Sequence, residues 1–203
     1  MKSIRESHLF HFSLILVIFF TNCSNIKTSN KESNSSNSLL FTLGVATFND
    51  TSAFAKYAIP NINLAKYAGA WNEIERIPNG FQGDLENVVA TYTANPDGSI
   101  QVKNEGTSPT SGYSSIIGVA IPYQSPKAIL KVSFFYPFVF SDYYVVALDE
   151  VNYTYAMVGS PTPDILWILA REKTLSDAIK TDLKTKARTM GYNVDQLRSY
   201  IKQ

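Results

Sequence analysis

The chain has 203 residues, enough for one domain of ordinary size with appendages. Its 18 basic and 17 acidic residues nearly cancel, so the basic footprint of a nucleic-acid binder is absent and no nucleic-acid partner is expected. Twelve Tyr, 12 Phe and 2 Trp make it rich in rings, which fill cores or line apolar cavities.

At the N-terminus, Lys2 and Arg5 precede an apolar stretch, Leu9 to Phe20, broken only by His11 and Ser13. About a dozen residues are too few to cross a bilayer but suit the core of a signal peptide, here residues 1–22. Cys23, the only cysteine, follows three residues after that run. One thiol forms no internal disulfide. Its place is that of a bacterial lipoprotein cysteine, which receives lipid and becomes the mature N-terminus. The plainer alternative is an incidental cysteine in a discarded leader. Phe20-Thr21-Asn22 departs from the usual lipobox, which has Leu first and a small residue just before the cysteine. Loss of residues 1–22 removes Lys2, Arg5 and Glu6 and leaves 16 basic and 16 acidic residues. Attachment to a membrane would then rest on the lipid rather than on charge.

Residues 23–62 read as a tether and N-terminal extension. Ser24 to Ser38 is mostly Ser, Asn, Lys and Thr and cannot bury enough surface to fold. As a flexible linker it would hold a domain roughly 20 Å from its anchor. Leu39 to Ile59 carries apolar clusters that either wrap around the following domain or cover its opening.

The domain, residues 63–203, opens with short strand-like segments separated by turn residues. Trp71–Ile77 ends at Pro78-Asn79-Gly80. Asn87–Ala94 is closed by Asn95-Pro96-Asp97-Gly98, whose Pro presets the turn and whose Gly accepts positive φ. Ser99–Asn104, Ser115–Ile121, Ala128–Phe135, Tyr143–Leu148, Tyr153–Val158 and Ile165–Ala170 complete eight strands at hairpin spacing. The period then changes. Thr174-Leu-Ser-Asp177 reads as a capping box, followed by Ile179, Leu183, Ala187 and Met190 at helical spacing and by Gly191 as the stop. Val194 to Ile201 adds a short strand or a turn of helix. The expected fold class is all-β with one C-terminal α-helix: an eight-stranded antiparallel up-and-down β-barrel.

Specific segments carry a resemblance as well. Tyr67-Ala-Gly-Ala-Trp-Asn-Glu-Ile-Glu-Arg-Ile-Pro78 resembles the opening signature of the lipocalins, in particular the bacterial outer-membrane lipocalins and apolipoprotein D. Gly98-Ser-Ile-Gln-Val-Lys-Asn104 and Leu130-Lys-Val-Ser-Phe-Phe-Tyr-Pro-Phe138 are similar to strands of that group. Tyr143-Tyr-Val-Val-Ala-Leu-Asp149 and Leu166-Trp-Ile-Leu-Ala-Arg171 resemble its second and third signatures. The resemblance spans about Asn63 to Ile201. Asn72 stands where the family usually has Tyr, Lys173 where a Pro commonly follows the Arg, and the turn after Asp149 carries an extra residue.

The resemblance implies a lipocalin cup in which Trp71 and Arg171 stack across the closed end as a structural pair. It implies a small hydrophobic ligand, a fatty acid or a lysophospholipid. It also implies a lipid anchor in a bacterial outer membrane, and membrane biogenesis or repair as the setting. Alternation converts these orientations into inward faces. They are Val88, Ala90 and Tyr92; Ile100 and Val102; Leu130, Val132 and Phe134; Tyr143, Val145 and Ala147; and Trp167 with Leu169. Tyr92, Val102, Val132, Phe134, Tyr143, Val145 and Trp167 are the candidate ligand-binding residues, while Ser133 faces the other way. Glu73 and Glu75 share the face of Trp71 until a bulge intervenes. They either reach Arg171 or water or sit beside a bulge, or they lie in the cup with a raised pKa.

Catalysis has little to stand on. Both histidines, His8 and His11, lie in the leader, so no His-based triad, general base or metal site is available to the mature chain. No catalytic residue, cofactor or metal is expected. A surface-interaction lipoprotein with a collapsed barrel is the alternative to a carrier, and a lipid-acting enzyme is a third reading. The oligomeric state is not written in the sequence.

Overall fold

Turn chemistry and alternation produce eight strands: β1 Gly69–Arg76, β2 Glu86–Ala94, β3 Ile100–Ser108, β4 Gly112–Tyr123, β5 Ile129–Phe135, β6 Val139–Leu148, β7 Tyr155–Gly159 and β8 Leu166–Ala170. The structure is a computed structural model that describes residues 52–123 and 127–202. The signal segment, Cys23, the tether and residues 39–51 lie outside the described residues. Each strand pairs antiparallel with the next, and β8 pairs with β1 to close the barrel. Closure leaves the sheet without an outer edge strand.

The β2–β3 turn shows why its sequence works. Gly98 adopts φ +82°, and the Asp97 carboxylate accepts from the Ser99 amide and hydroxyl. Three strands run longer than hydrophobic alternation suggests. β3 and β4 stay paired to Ser108↔Gly112 through polar Asn104, Glu105 and Thr107, and β6 begins at Val139. The backbone ladder persists near the mouth, where β4 is exposed on both faces and polar residues replace the hydrophobic alternation of β3.

Two bulges re-aim side chains. In β1 the register against β8 shifts between Glu73 and Glu75, so Ile74 is the extra residue. Glu73 stays inside, Glu75 turns outward and Arg76 turns inward. In β6 the shift between Val145 and Ala147 sends Ala147 to the outer cluster and Leu148 to the inner one. Ala147 is therefore not on the inward face, because one extra residue inverts every later position of a strand.

Outside the barrel lies the helix α2, Asp177–Met190. Its N-cap is Ser176, whose hydroxyl accepts from the Ile179 amide, rather than Thr174. Ser176 holds the extended backbone that lets its oxygen reach back to that amide. Asp177 falls instead in the first turn, where the helix dipole favours a carboxylate, and pairs with Lys180 at 2.7 Å. Leu183 and Ala187 are fully buried against the outer wall of Tyr144, Met157 and Ile168. Gly191 ends the helix at φ +96°. Of the two alternatives for the coda, the turn of helix forms and a strand does not. A 3-10 turn at Val194–Gln196 leads into a two-hydrogen-bond bridge between Arg198 and Arg76.

The described part of the N-terminal extension runs to the closed end, not to the mouth. Phe54 packs on Tyr192 of the outer cluster at 4.7 Å. Ile59 then donates to the Val145 carbonyl and accepts from the Ala128 amide, both at 2.9 Å. A short helix, α1 Leu64–Tyr67, capped by the Asn63 side chain, carries the chain under the barrel.

Trp71 seals that end. Its side chain is fully buried, and its indole N–H donates to the Tyr67 carbonyl at 2.7 Å. The Arg171 guanidinium lies 3.8 Å from the ring centroid and donates to the backbone carbonyls of Lys66, Tyr67, Ala68, Ala70 and Tyr153. The stack itself is worth about 1–2 kcal/mol. Gly69 sits at φ +96° with Arg171 close by, which is why glycine precedes the tryptophan by two. Asn72, standing where the family usually has Tyr, donates to the Arg171 carbonyl at 2.7 Å. Trp71→Ala should lower unfolding stability by roughly 3–5 kcal/mol in urea titration, the usual cost of emptying an aromatic core site. A loss below 1 kcal/mol would show that the seal does not depend on this ring.

Candidate ligand-binding site

Inside the barrel, above the packed closed end, is a cavity of about 270 Å³. Its walls are apolar: Val88 and Ala90 from β2, Val102 from β3, Val132 and Phe134 from β5, Val158 from β7, and Leu169 from β8. Trp167 stands on one side, and Tyr92 and Tyr143 form the floor. Phe81, Phe135 and Val139 complete the opening and are largely exposed, at 69%, 65% and 58%. A larger depression of about 810 Å³ runs along the outer wall of β4 and β5. It shares Phe134 and Phe135 with the cavity, but its other lining residues include the β2–β3 turn, Ile117, Val119 and Ser133, outside the cup.

Six of the seven candidate ligand-binding residues, Tyr92, Val102, Val132, Phe134, Tyr143 and Trp167, line this cavity. Val145 does not. It points inward but lies below, fully buried in the packed floor beside Ile59 and Ala128. Alternation gives direction but not depth, and Val145 is two residues nearer the closed end than Tyr143. Ser133 faces away from the cup as expected but is buried at 1%, its hydroxyl accepting from the Phe135 amide. A charge there would be no solvent-facing control.

Several residues that shape the site escape a reading of single strands. Gly118 is required because a Cβ there would lie 2.6 Å from the Phe134 ring and 2.4 Å from the Ser133 carbonyl oxygen. A glycine inside a strand pattern was the available signal. Gln82, in the β1–β2 loop, accepts from the Trp167 indole N–H and donates to Glu73, both at 2.7 Å. It ties the loop to the cavity wall. Arg76, placed inside by the bulge, is fully buried under this loop. It donates to Glu73 at 2.5 Å and to the carbonyls of Gly83 and Leu85, and stacks on Tyr200 at 3.6 Å.

Glu73 thus meets Arg76 rather than Arg171 or bulk water, while Glu75 pairs with Lys184 of α2 on the outer wall. Burial pushes the Glu73 carboxyl above its ordinary range, against the opposing pull of Arg76 and Gln82. The cavity's charged lining residues, Glu73 and Asp142, are both acidic, and no Lys or Arg lines it among the described residues.

A closed eight-stranded cup with a sealed floor and an apolar interior is the architecture of a protein that encloses a small hydrophobic molecule. The family model described as a lipocalin-like domain matches residues 62–202, and the chain belongs to that family. It is 39% identical over 140 residues to the outer membrane lipoprotein Blc of Escherichia coli K12, covering 68% of this chain and 78% of that protein. It is 32% identical over 146 residues to apolipoprotein D of Mus musculus, covering 68% and 75%. Among solved structures, the major allergen Per a 4 from cockroaches shares the fold with a TM-score of 0.59 at 20% identity, covering 72% of this chain and 92% of that one.

The Glu73 carboxyl provides a test of which force prevails around it. A carboxyl with a raised folded-state pKa binds its proton more tightly when folded than when unfolded. Its contribution is present in full below about 4.5, the ordinary value, and is lost as pH rises through the folded value. Wild type should therefore gain stability relative to Glu73→Gln as pH is lowered from 7 toward that value. Urea midpoints of the two proteins across this range measure it. The opposite slope would mean that Arg76 outweighs burial.

Proposed function

We propose that the protein is a lipid-anchored lipocalin that binds, stores or carries one small hydrophobic molecule, a fatty acid or lysophospholipid, in a bacterial cell envelope. The observation that carries this reading is the apolar cavity, sealed below by Trp71 and Arg171 and open at the Phe81 and Phe135 rim. At about 270 Å³ it is near the lower end of ligand pockets, which suits a single chain better than a two-chain phospholipid. A barrel with such a space favours a carrier over a surface protein with a collapsed interior.

A fluorescent fatty acid should bind at about one per chain and be displaced by natural monoacyl lipids. Trp167 lines the cavity while Trp71 is sealed off, so ligand entry should quench Trp167 emission. Phe134→Asp should abolish binding, because an unpaired carboxylate beside an acyl chain costs several kcal/mol. Ile117→Asp, on the outer face of β4 at 58% exposure, should leave binding within about twofold, as surface changes usually cost little. Equal effects of the two substitutions, or no binding by wild type, would overturn the carrier reading.

The anchor rests on Cys23, three residues past the short apolar run, and the outer membrane is its proposed location. The names of the outer membrane lipoproteins similar to this chain support that placement. Cys23→Ala should abolish acyl labelling and move the protein from the membrane to the soluble fraction without unfolding it. Intact mass of the wild type lacking any lipid increment would refute the anchor.

A further inference from the structure

The floor of the cup carries a polar chain that burial of an ordinary acyl tail leaves unused. The hydroxyls of Tyr67 and Tyr143 lie 2.6 Å apart, and those of Tyr92 and Tyr143 lie 2.9 Å apart. The Tyr67 ring sits beneath, 4.8 Å from Trp71 and 5.3 Å from Tyr92. Burial raises Tyr92 to about 12 and pushes Tyr67 and Tyr143 well above the ordinary phenol value. All three are neutral hydroxyls near neutral pH.

A phenol has one proton to donate. Three protons here serve two hydrogen bonds, so one O–H in the chain has no acceptor among the described groups. When Tyr67 donates to Tyr143 and Tyr143 to Tyr92, that proton is on Tyr92. When both outer phenols donate to Tyr143, it is on Tyr143. Only the reverse relay leaves it on Tyr67. Tyr92 and Tyr143 line the cavity, flanked by Val102 and Val132, and Tyr67 does not. A buried donor of this kind calls for an acceptor.

The acceptor must be uncharged. At the closed end Arg171 is turned to backbone carbonyls and to the ring of Trp71, and the Lys66 ammonium lies over the Tyr153 ring. Of the described residues that line the cavity, the charged ones are acidic. A carboxylate at the floor would be desolvated without a counter-charge.

We propose that the cup takes a single-chain lipid whose inward end carries a neutral oxygen, a hydroxyl or a carbonyl, received by the Tyr92–Tyr143 floor. This rests on the carrier reading and adds what the chain's inward end bears: an acid or lysophospholipid with its charged head at the mouth would carry that oxygen toward its tail.

Displacement of the neutral fluorophore N-phenyl-1-naphthylamine from the purified protein tests it. Decan-1-ol should displace the probe at a concentration about three- to tenfold below that of 1-chlorodecane, the worth of one hydrogen bond to a neutral acceptor. The double variant Tyr92→Phe with Tyr143→Phe should still bind the probe but respond to the two chains within about twofold, its phenol donors being gone from the cavity. Tyr67→Phe should keep the preference, since one proton is still left over on a cavity-lining phenol. Equal displacement by alcohol and chloride in wild type overturns the inference while leaving the carrier reading intact, and that comparison stands even if the double variant fails to fold. A preference that survives the double variant overturns it as well. Failure of the probe and of every chain to bind would instead remove the carrier reading.

Discussion

The cup exists because one cation is placed under one ring. Arg171, just past the end of β8, reaches across the closed end to five backbone carbonyls on the approach to β1, within β1 at Ala70 and on the β6–β7 turn, with the Trp71 ring against its face. These contacts join the first strand of the barrel to the last and to the turn between two others. They also settle the charge without a carboxylate, because peptide oxygens supply the acceptors that burial would otherwise remove. The cavity can then remain apolar above a sealed floor.

Two bulges decide which chemistry enters that cavity and which stays outside. Ile74 as the extra residue in β1 puts Glu73 and Arg76 together beneath the β1–β2 loop and hands Glu75 to Lys184 on the helix. An unbulged strand would have placed Glu75 in the cup and carried Arg76 outward to the wall. The β6 bulge similarly moves Ala147 into the outer cluster that receives α2 and leaves Leu148 inside. Both bulges serve the same division, with an inner cluster that lines a ligand space and an outer one that seats the helix.

The polar groups within the cup lie at different heights. Glu73, Gln82 and the Trp167 indole N–H form a connected group that holds the mouth-side loop to the wall. Tyr67, Tyr92 and Tyr143 form a second at the floor. Between them the walls are mostly Val, Leu, Ala and Phe, with Asn104, Ser141 and Asp142 as the polar exceptions. Shape therefore admits an apolar chain, while the two polar groups bear on its ends. The exposed rings of Phe81, Phe135 and Phe138 keep the approach to the mouth apolar as well.

The eight strands, their order, the C-terminal helix and the Trp71–Arg171 pair were legible in the sequence, whereas the short α1 was not. Alternation, turn residues and helical spacing are local signals, and the signature segments carried the rest. Tyr92, Val102, Val132, Phe134, Tyr143 and Trp167 could be assigned to the inner face for the same reason. The depth of Val145, the outward turn of Ala147, the buried state of Ser133 and the move of the helix cap from Thr174 to Ser176 could not. Neither could the meeting of Tyr67 with Tyr143, 76 residues apart in the chain. A strand's own pattern states only which faces alternate. Where a bulge interrupts it, how deep a position sits and which distant hydroxyls meet are set by the partner strands and by barrel closure, so only the tertiary structure decided them.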